Sequence, residues 1–248
     1  MVSWHNIETD TIQISGNGGD QIDAYLAQPK GQGPFPGVFV IHHMPGWDEW
    51  TREVVNKFAL HGYIAISPNL HHRIGPGSLD DVVAAVRAEG GTPDAQFVGD
   101  FNAGVDHIRS LDNHNGKIGC IGFCSGGRQA YIAASKATYL DAAVDCWGGR
   151  VMMKETELTE RMPTAPFDMT SDIKVPLLGL FGNEDEAPSP EEVNLTEQEL
   201  QKHGKAYEFH RYDGAGHGFF AAHRTSYCIE QALDGWQKVF TFYEKHLS

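Results

Sequence analysis

Short, uninterrupted apolar runs recur along this chain between stretches whose apolar residues return at helical spacing, and that alternation restricts the fold more than any other feature. Gly37–Ile41 (GVFVI), Tyr63–Ser67 (YIAIS), Lys117–Gly122 (KIGCIG), Ala142–Cys146, Val175–Phe181 and Ala206–Tyr212 read as strands. A strand that is apolar at successive positions has both faces covered, as in a parallel sheet sandwiched between helices. Helices are expected over Glu49–His61, Asp94–Leu111, Ser125–Lys136, Pro190–His203 and Ser226–His246. In the second of these Phe97, Phe101, Val105 and Ile108 share one face. Repeated strand–helix units of this kind predict an α/β fold, a mostly parallel central sheet flanked by helices on both faces. The opening stretch, Ile12–Ile14 and Ile22–Ala27, alternates polar with apolar residues and is broken by Gly16, Gly18 and Gly19; it reads as an antiparallel hairpin at the sheet edge. Gly148–Ser171, with Pro163 and Pro166, is the least regular stretch and reads either as a lid or as a surface excursion.

The 248 residues, 41% of them hydrophobic, suffice for one domain with a sizeable core, and no repeat or low-complexity linker divides them; a single domain over 1–248 is expected. A net charge of -14 argues against nucleic acid, whose phosphates need Lys and Arg, and against anionic membranes. No run approaches the roughly 18 apolar residues that span a bilayer. Met1–Asp10 has neither the basic start nor the apolar stretch of a secretory signal, so the expected location is the cytoplasm, as a monomer or small homo-oligomer. The four cysteines, Cys120, Cys124, Cys146 and Cys228, fit neither a zinc site nor a CxxC pair. His42, His43, His71 and His72 lack the spacing of a metal centre, so no metal and no cofactor is expected.

Chemistry concentrates first at Gly122-Phe123-Cys124-Ser125-Gly126-Gly127, between an expected strand and an expected helix. This is the setting of a nucleophile elbow, G-x-S-x-G with cysteine in the serine position. The turn is sharp, and the residues two before and two after the nucleophile must lack side chains for strand and helix to approach. The helix N-terminus then lies beneath the sulfur and favours thiolate over thiol. The alternative is a buried cysteine in a glycine-rich turn. An acid and then a histidine should follow, each on a loop after a later strand. Asn183-Glu184-Asp185 follows one such strand and Gly216-His217-Gly218-Phe219 the next. Asp185 is the expected acid, with Glu184 and Glu186 as rivals, and His217 the expected base.

These segments together resemble the dienelactone hydrolase family of the α/β-hydrolase fold, over nearly the whole chain from Asp20 onward. The resemblance rests on the strand and loop Gly37–Gly46, the G-x-C-x-G-G elbow, the F-G-x-x-D turn, the G-x-x-H-G-F segment, and Arg224-Thr225-Ser226-Tyr227 entering the last helix. It implies hydrolysis of an enol-lactone or related ester, with Cys124, Asp185 and His217 as the triad. The same-fold alternative is a broader carboxylesterase or thioesterase; the alternative from another class is a catalytically silent member that binds a small ligand.

An oxyanion hole needs two N–H donors. Ser125, directly after the nucleophile, is expected to give one. The loop Ile41-His42-His43-Met44-Pro45-Gly46 should give the other, and since Pro45 has no N–H, Met44 is the choice. Family members with a substrate-triggered thiol carry a glutamate where this chain has His43. His43 is therefore read as a replacement base, as a hydrogen-bond donor, or as a pocket lining, with His217 able to deprotonate the thiol directly. His72 and Arg73, after the Tyr63–Ser67 strand, should reach the same sheet edge, where open α/β sheets bind ligands. Arg73 is the first candidate for a substrate carboxylate. Arg224 is the second, because its offset from His217 is longer than the family's substrate arginine implies and Ala221 lies nearer that place. Trp47 and Trp147 are expected to wall the pocket.

Overall fold

In the computed structural model, which describes residues 6–248, one eight-stranded sheet organises the chain. Residues 1–5, part of the stretch read for a secretory signal, lie outside the described residues. The strands are β1 (Ile7–Ser15), β2 (Gln21–Pro29), β3 (Phe35–Ile41), β4 (Ile64–Pro68), β5 (His114–Phe123), β6 (Ala142–Cys146), β7 (Leu177–Gly182) and β8 (Tyr207–Tyr212), in the order β1-β2-β4-β3-β5-β6-β7-β8. β1 and β2 form the antiparallel edge hairpin, and β2 also pairs antiparallel with β4. From β4 to β8 every pairing is parallel.

The helices are α1 (Glu49–Leu60), α2 (Leu79–Ala88), α3 (Asp94–Arg109), α4 (Ser125–Lys136), α5 (Pro190–Lys202) and α6 (Ile229–Leu247). α1 and α6 cover one face, where Trp50, Val54, Phe58, Val239 and Tyr243 pack on Val38, Val40 and Ile121. α3, α4 and α5 cover the other, where Phe97, Phe101, Val105, Tyr131 and Leu200 pack on Phe39, Ile41 and Cys120. With core on both sides, an interior strand can carry apolar residues at every position, which is why β3 is buried from Gly37 to Ile41. Beneath β5, the fully buried Tyr243 donates its hydroxyl to the Cys120 carbonyl at 2.6 Å, so the phenol keeps a partner inside the core.

Two parts of the chain depart from the sequence expectation. α2 has no counterpart in it. Ser78 caps this helix by accepting from the Asp81 N–H, and Asp80 and Asp81 occupy the first turn, both helix-start signals. Only Val86 is buried, so the apolar periodicity that reveals other helices is nearly absent. Gly148–Ser171 is partly ordered core: a 3-10 turn over Pro166–Asp172 packs on α4, with the Tyr131 and Thr170 hydroxyls 2.7 Å apart and Ala165 and Met169 buried.

Candidate active site

The sheet order decides where a ligand can sit. From β3 the chain moves to β4 on one side and later to β5 on the other. Adjacent strands whose connections leave in opposite directions open a crevice at their carboxyl ends. The loop after β3 and the turn after β5 line that crevice.

Cys124 forms the turn after β5, with φ 56° and ψ -116°. A non-glycine residue held at positive φ is strained, and such strain persists only where the surroundings enforce it. They do so here. A Cβ on Gly122 would overlap the Gly126 carbonyl, and one on Gly126 would press on the carbonyls of Ile41 and His42. Strand, turn and α4 therefore fit only with glycine at both places, which presents the cysteine side chain at the helix N-terminus.

The loops after β7 and β8 bring the partners. Asp185 is buried whereas Glu184 and Glu186 are exposed, and its Oδ2 lies 2.8 Å from His217 Nδ1. The Ala187 N–H binds the other carboxylate oxygen at 2.9 Å. The remaining side of the His217 ring faces the Cys124 sulfur, which also lies against the backbone N–H groups of Ser125 and Met44. Burial pushes the Cys124 thiol up, but the His217 bond and charge and those two amides outweigh it and hold the thiol below its ordinary value. Burial likewise opposes a charged His217, yet the bonds to Asp185 and Cys124 and their negative charge raise the imidazole above its ordinary range. The pair thus favours thiolate facing imidazolium. Cys120 and Cys146 are different: burial drives both thiols up, away from reactivity.

A cavity of about 240 Å³ opens beside the sulfur. Pro45, Trp50, Phe123, Trp147 and Ala221 supply much of its apolar wall, and His43, Arg87 and Arg224 supply polar groups. This volume suits a small acyl compound, being just below the range of drug-sized pockets. Trp147 takes its place there with φ 45° at the end of β6. Among the described residues no cluster of His, Cys, Asp or Glu is arranged to hold a metal ion.

The remaining expected site residues divide. Met44, Ser125, His43 and Arg224 come to the Cys124 crevice, Arg224 with its Nη2 3.4 Å from His43 Nδ1. Arg73 does not. Because β4 is separated from β5 by β3, the loop after β4 lies one strand further away. There Arg73 donates to Asp100 at 2.8 and 3.0 Å, to Asp20 at 2.6 Å and to the Asn17 carbonyl at 3.1 Å. Four of its five N–H donors are committed to a structural clamp, and Arg73 does not line the Cys124 cavity. His72 shares that loop, in a turn tied to β2 by the Asn69 N–H to Asp23 carbonyl bond, and does not line the cavity. Trp47 is also elsewhere: its indole N–H donates to the Ser67 carbonyl at 2.8 Å and the Arg52 guanidinium covers its face. Trp50, one turn on, takes the wall position. Gly148–Ser171 contributes no residue to this cavity. The sequence reading misses Arg87 because it rides on the unforeseen α2.

Fold and site together define an α/β-hydrolase-type hydrolase with a cysteine at the elbow. The family model for the dienelactone hydrolase family matches residues 22–247, and the chain belongs to that family. It is 34% identical over 241 residues to an Escherichia coli K12 protein provisionally named carboxymethylenebutenolidase, covering 92% of this chain and 84% of that one. A Bradyrhizobium protein provisionally named 2-oxo-3-(5-oxofuran-2-ylidene)propanoate lactonase is 26% identical over 250 residues, with 99% and 98% covered. Among solved structures, a provisionally assigned dienelactone hydrolase from Klebsiella pneumoniae superposes with a TM-score of 0.88 at 29% identity, covering 97% of this chain and 99% of that one.

Proposed function

We propose that this protein opens small lactones or related esters by covalent catalysis at Cys124, with His217 and Asp185 completing the triad. What carries the reading is a sulfur that meets His217 on one side and two backbone N–H groups on the other, while Asp185 holds the far side of the imidazole. The Cys124 thiolate attacks the carbonyl carbon. The carbonyl electrons move to oxygen, and the Met44 and Ser125 amides stabilise the oxyanion. As it collapses, the ring carbon–oxygen bond breaks and the leaving oxygen takes the His217 proton, giving an open-chain acyl-thioester. Water then attacks the thioester carbon, its proton passing to His217 and the thiolate departing. Asp185 keeps Nδ1 protonated throughout and stabilises the imidazolium. Since His217 meets the sulfur, it takes the thiol proton without a glutamate at position 43.

Arg87 and Arg224 at the cavity make a substrate with its own carboxylate the preferred class, a preference the lactonase relative's name parallels. A thiol that must stay reduced suits the cytoplasm. No helix among the described residues is long and apolar enough to cross a membrane. The test is turnover of enol-lactones and aryl esters by the protein and by Cys124→Ala. Loss in the variant is expected, and equal turnover by both would end the proposal.

A further inference from the structure

In the wall of the thiol cavity, His43 belongs to a second histidine–carboxylate pair. His43, 4% exposed, lies with Nε2 2.7 Å from Asp48 Oδ2, and its ring packs against Trp50. Asp48 is the N-cap of α1, and its Oδ1 accepts from the Thr51 N–H at 2.9 Å and the Thr51 hydroxyl at 2.8 Å. Burial works against the Asp48 carboxylate, but its bonds to His43 and Thr51 hold it ionised, down to about 2. An ionised carboxylate only accepts, so Nε2 carries the proton and Nδ1 presents a lone pair. Facing that lone pair, at 3.4 Å, is Arg224 Nη2. This is the only side-chain hydrogen bond of Arg224 among the described residues, and no carboxylate pairs with its guanidinium there.

We infer that Asp48 and His43 are positioning residues that select for anionic substrates: Asp48 fixes the His43 tautomer, and the Nδ1 so exposed anchors Arg224 with its remaining donors turned toward the substrate at Cys124. The inference rests on reading the cavity as the place where Cys124 meets its substrate. It adds what the resemblance lacks, since position 43 carries no glutamate here and the charge comes instead from α1.

Asp48→Asn separates positioning from folding. Asparagine caps helices as well as aspartate. The Thr51 donors keep the amide oxygen where Oδ1 was, which turns the NH2 toward His43. Nε2 must then accept, the proton moves to Nδ1, and Arg224 loses its anchor. The readout is the ratio of Cys124 alkylation rates with iodoacetate and iodoacetamide, followed by mass on the Cys124 peptide. These reagents differ mainly in charge, and neither requires turnover. Arg224→Ala should lower the ratio about tenfold, the scale of one charge-assisted bond. Asp48→Asn should lower it at least threefold, and so should His43→Phe, which keeps a ring packed against Trp50. The double variant Asp48→Asn with Arg224→Ala should fall no further than Arg224→Ala alone, because both changes break one chain of contacts. A wild-type ratio in Asp48→Asn, or additive losses in the double variant, overturns the inference. Failure of the wild-type protein to hydrolyse any ester would instead count against the proposed function and leave the alkylation ratio to be read.

Discussion

Cys124 and His217 shift each other in opposite directions, so their ionisations set a pH window. A thiol held below its ordinary value is thiolate above that lowered point and is protonated only as pH falls through it. A raised imidazole stays cationic until pH climbs past its own raised point. Alkylation of Cys124 by iodoacetamide should therefore reach its plateau at a lower pH than that of an ordinary thiol and decline on the acid side of that lowered point. An ordinary thiol would still be gaining rate through about pH 8.5. Asp185→Asn removes the charge and leaves the imidazole in the wrong tautomer. Ester turnover should fall about 10²- to 10⁴-fold, with the alkylation profile moved toward the ordinary thiol range. A wild-type profile in that variant would deny Asp185 its role.

Among the elements, the elbow is the least tolerant of change. Gly122→Ala places a methyl group on the Gly126 carbonyl, a backbone atom that moves only if α4 moves. We expect a loss of about 3 kcal/mol or more, read from the urea midpoint, together with loss of Cys124 activation. Arg73→Ala should behave in the opposite way for function. It strands the fully buried Asp100 carboxylate, which costs about 3–5 kcal/mol. Ester selectivity of the folded fraction should be unchanged, since Arg73 lies outside the thiol cavity. These two positions show where sequence reading succeeds and where it stops. The glycines around Cys124 and the meeting of Asp185 with His217 were legible because each lies in a short segment following an apolar run. The partners of Arg73 were not, because Asp20 and Asp100 are distant in sequence and the order β4-β3-β5 is not written in any local pattern. Arg87 and Asp48 escaped for related reasons. One rides on a helix with a thin apolar face, and the other looks like an ordinary cap until the fold sets His43 beside it.

Across the whole molecule, two buried imidazoles join the loops after β3 and β4. His42 Nε2 accepts from the Leu70 N–H at 3.1 Å, and the His71 ring packs edge-on against His42. Burial, reinforced by neighbouring histidines, lowers His71 to about 4 and His42 well below 6.5. In the unfolded chain both titrate near 6.5, so the unfolded state binds protons first as pH falls. The stability they confer is complete above about pH 6.5 and drains away toward pH 4, roughly 3 kcal/mol for His71 alone. Melting temperature should drop across that interval, and His71→Gln should flatten the decline; a variant as steep as wild type would contradict this. α6 has another kind of reach. Tyr243 and Leu247 fill the space over Gly119, the Tyr243 hydroxyl holds Cys120, and Asn115 donates to the Leu247 carbonyl at 2.9 Å. The strand that leads to Cys124 is thus roofed by a helix that leaves the ribosome after all eight strands. During synthesis β5 must wait for that roof with an apolar face uncovered, so the Cys124 turn gains its full support only once α6 has emerged, and nascent chains stalled before α6 should be the species that chaperones hold.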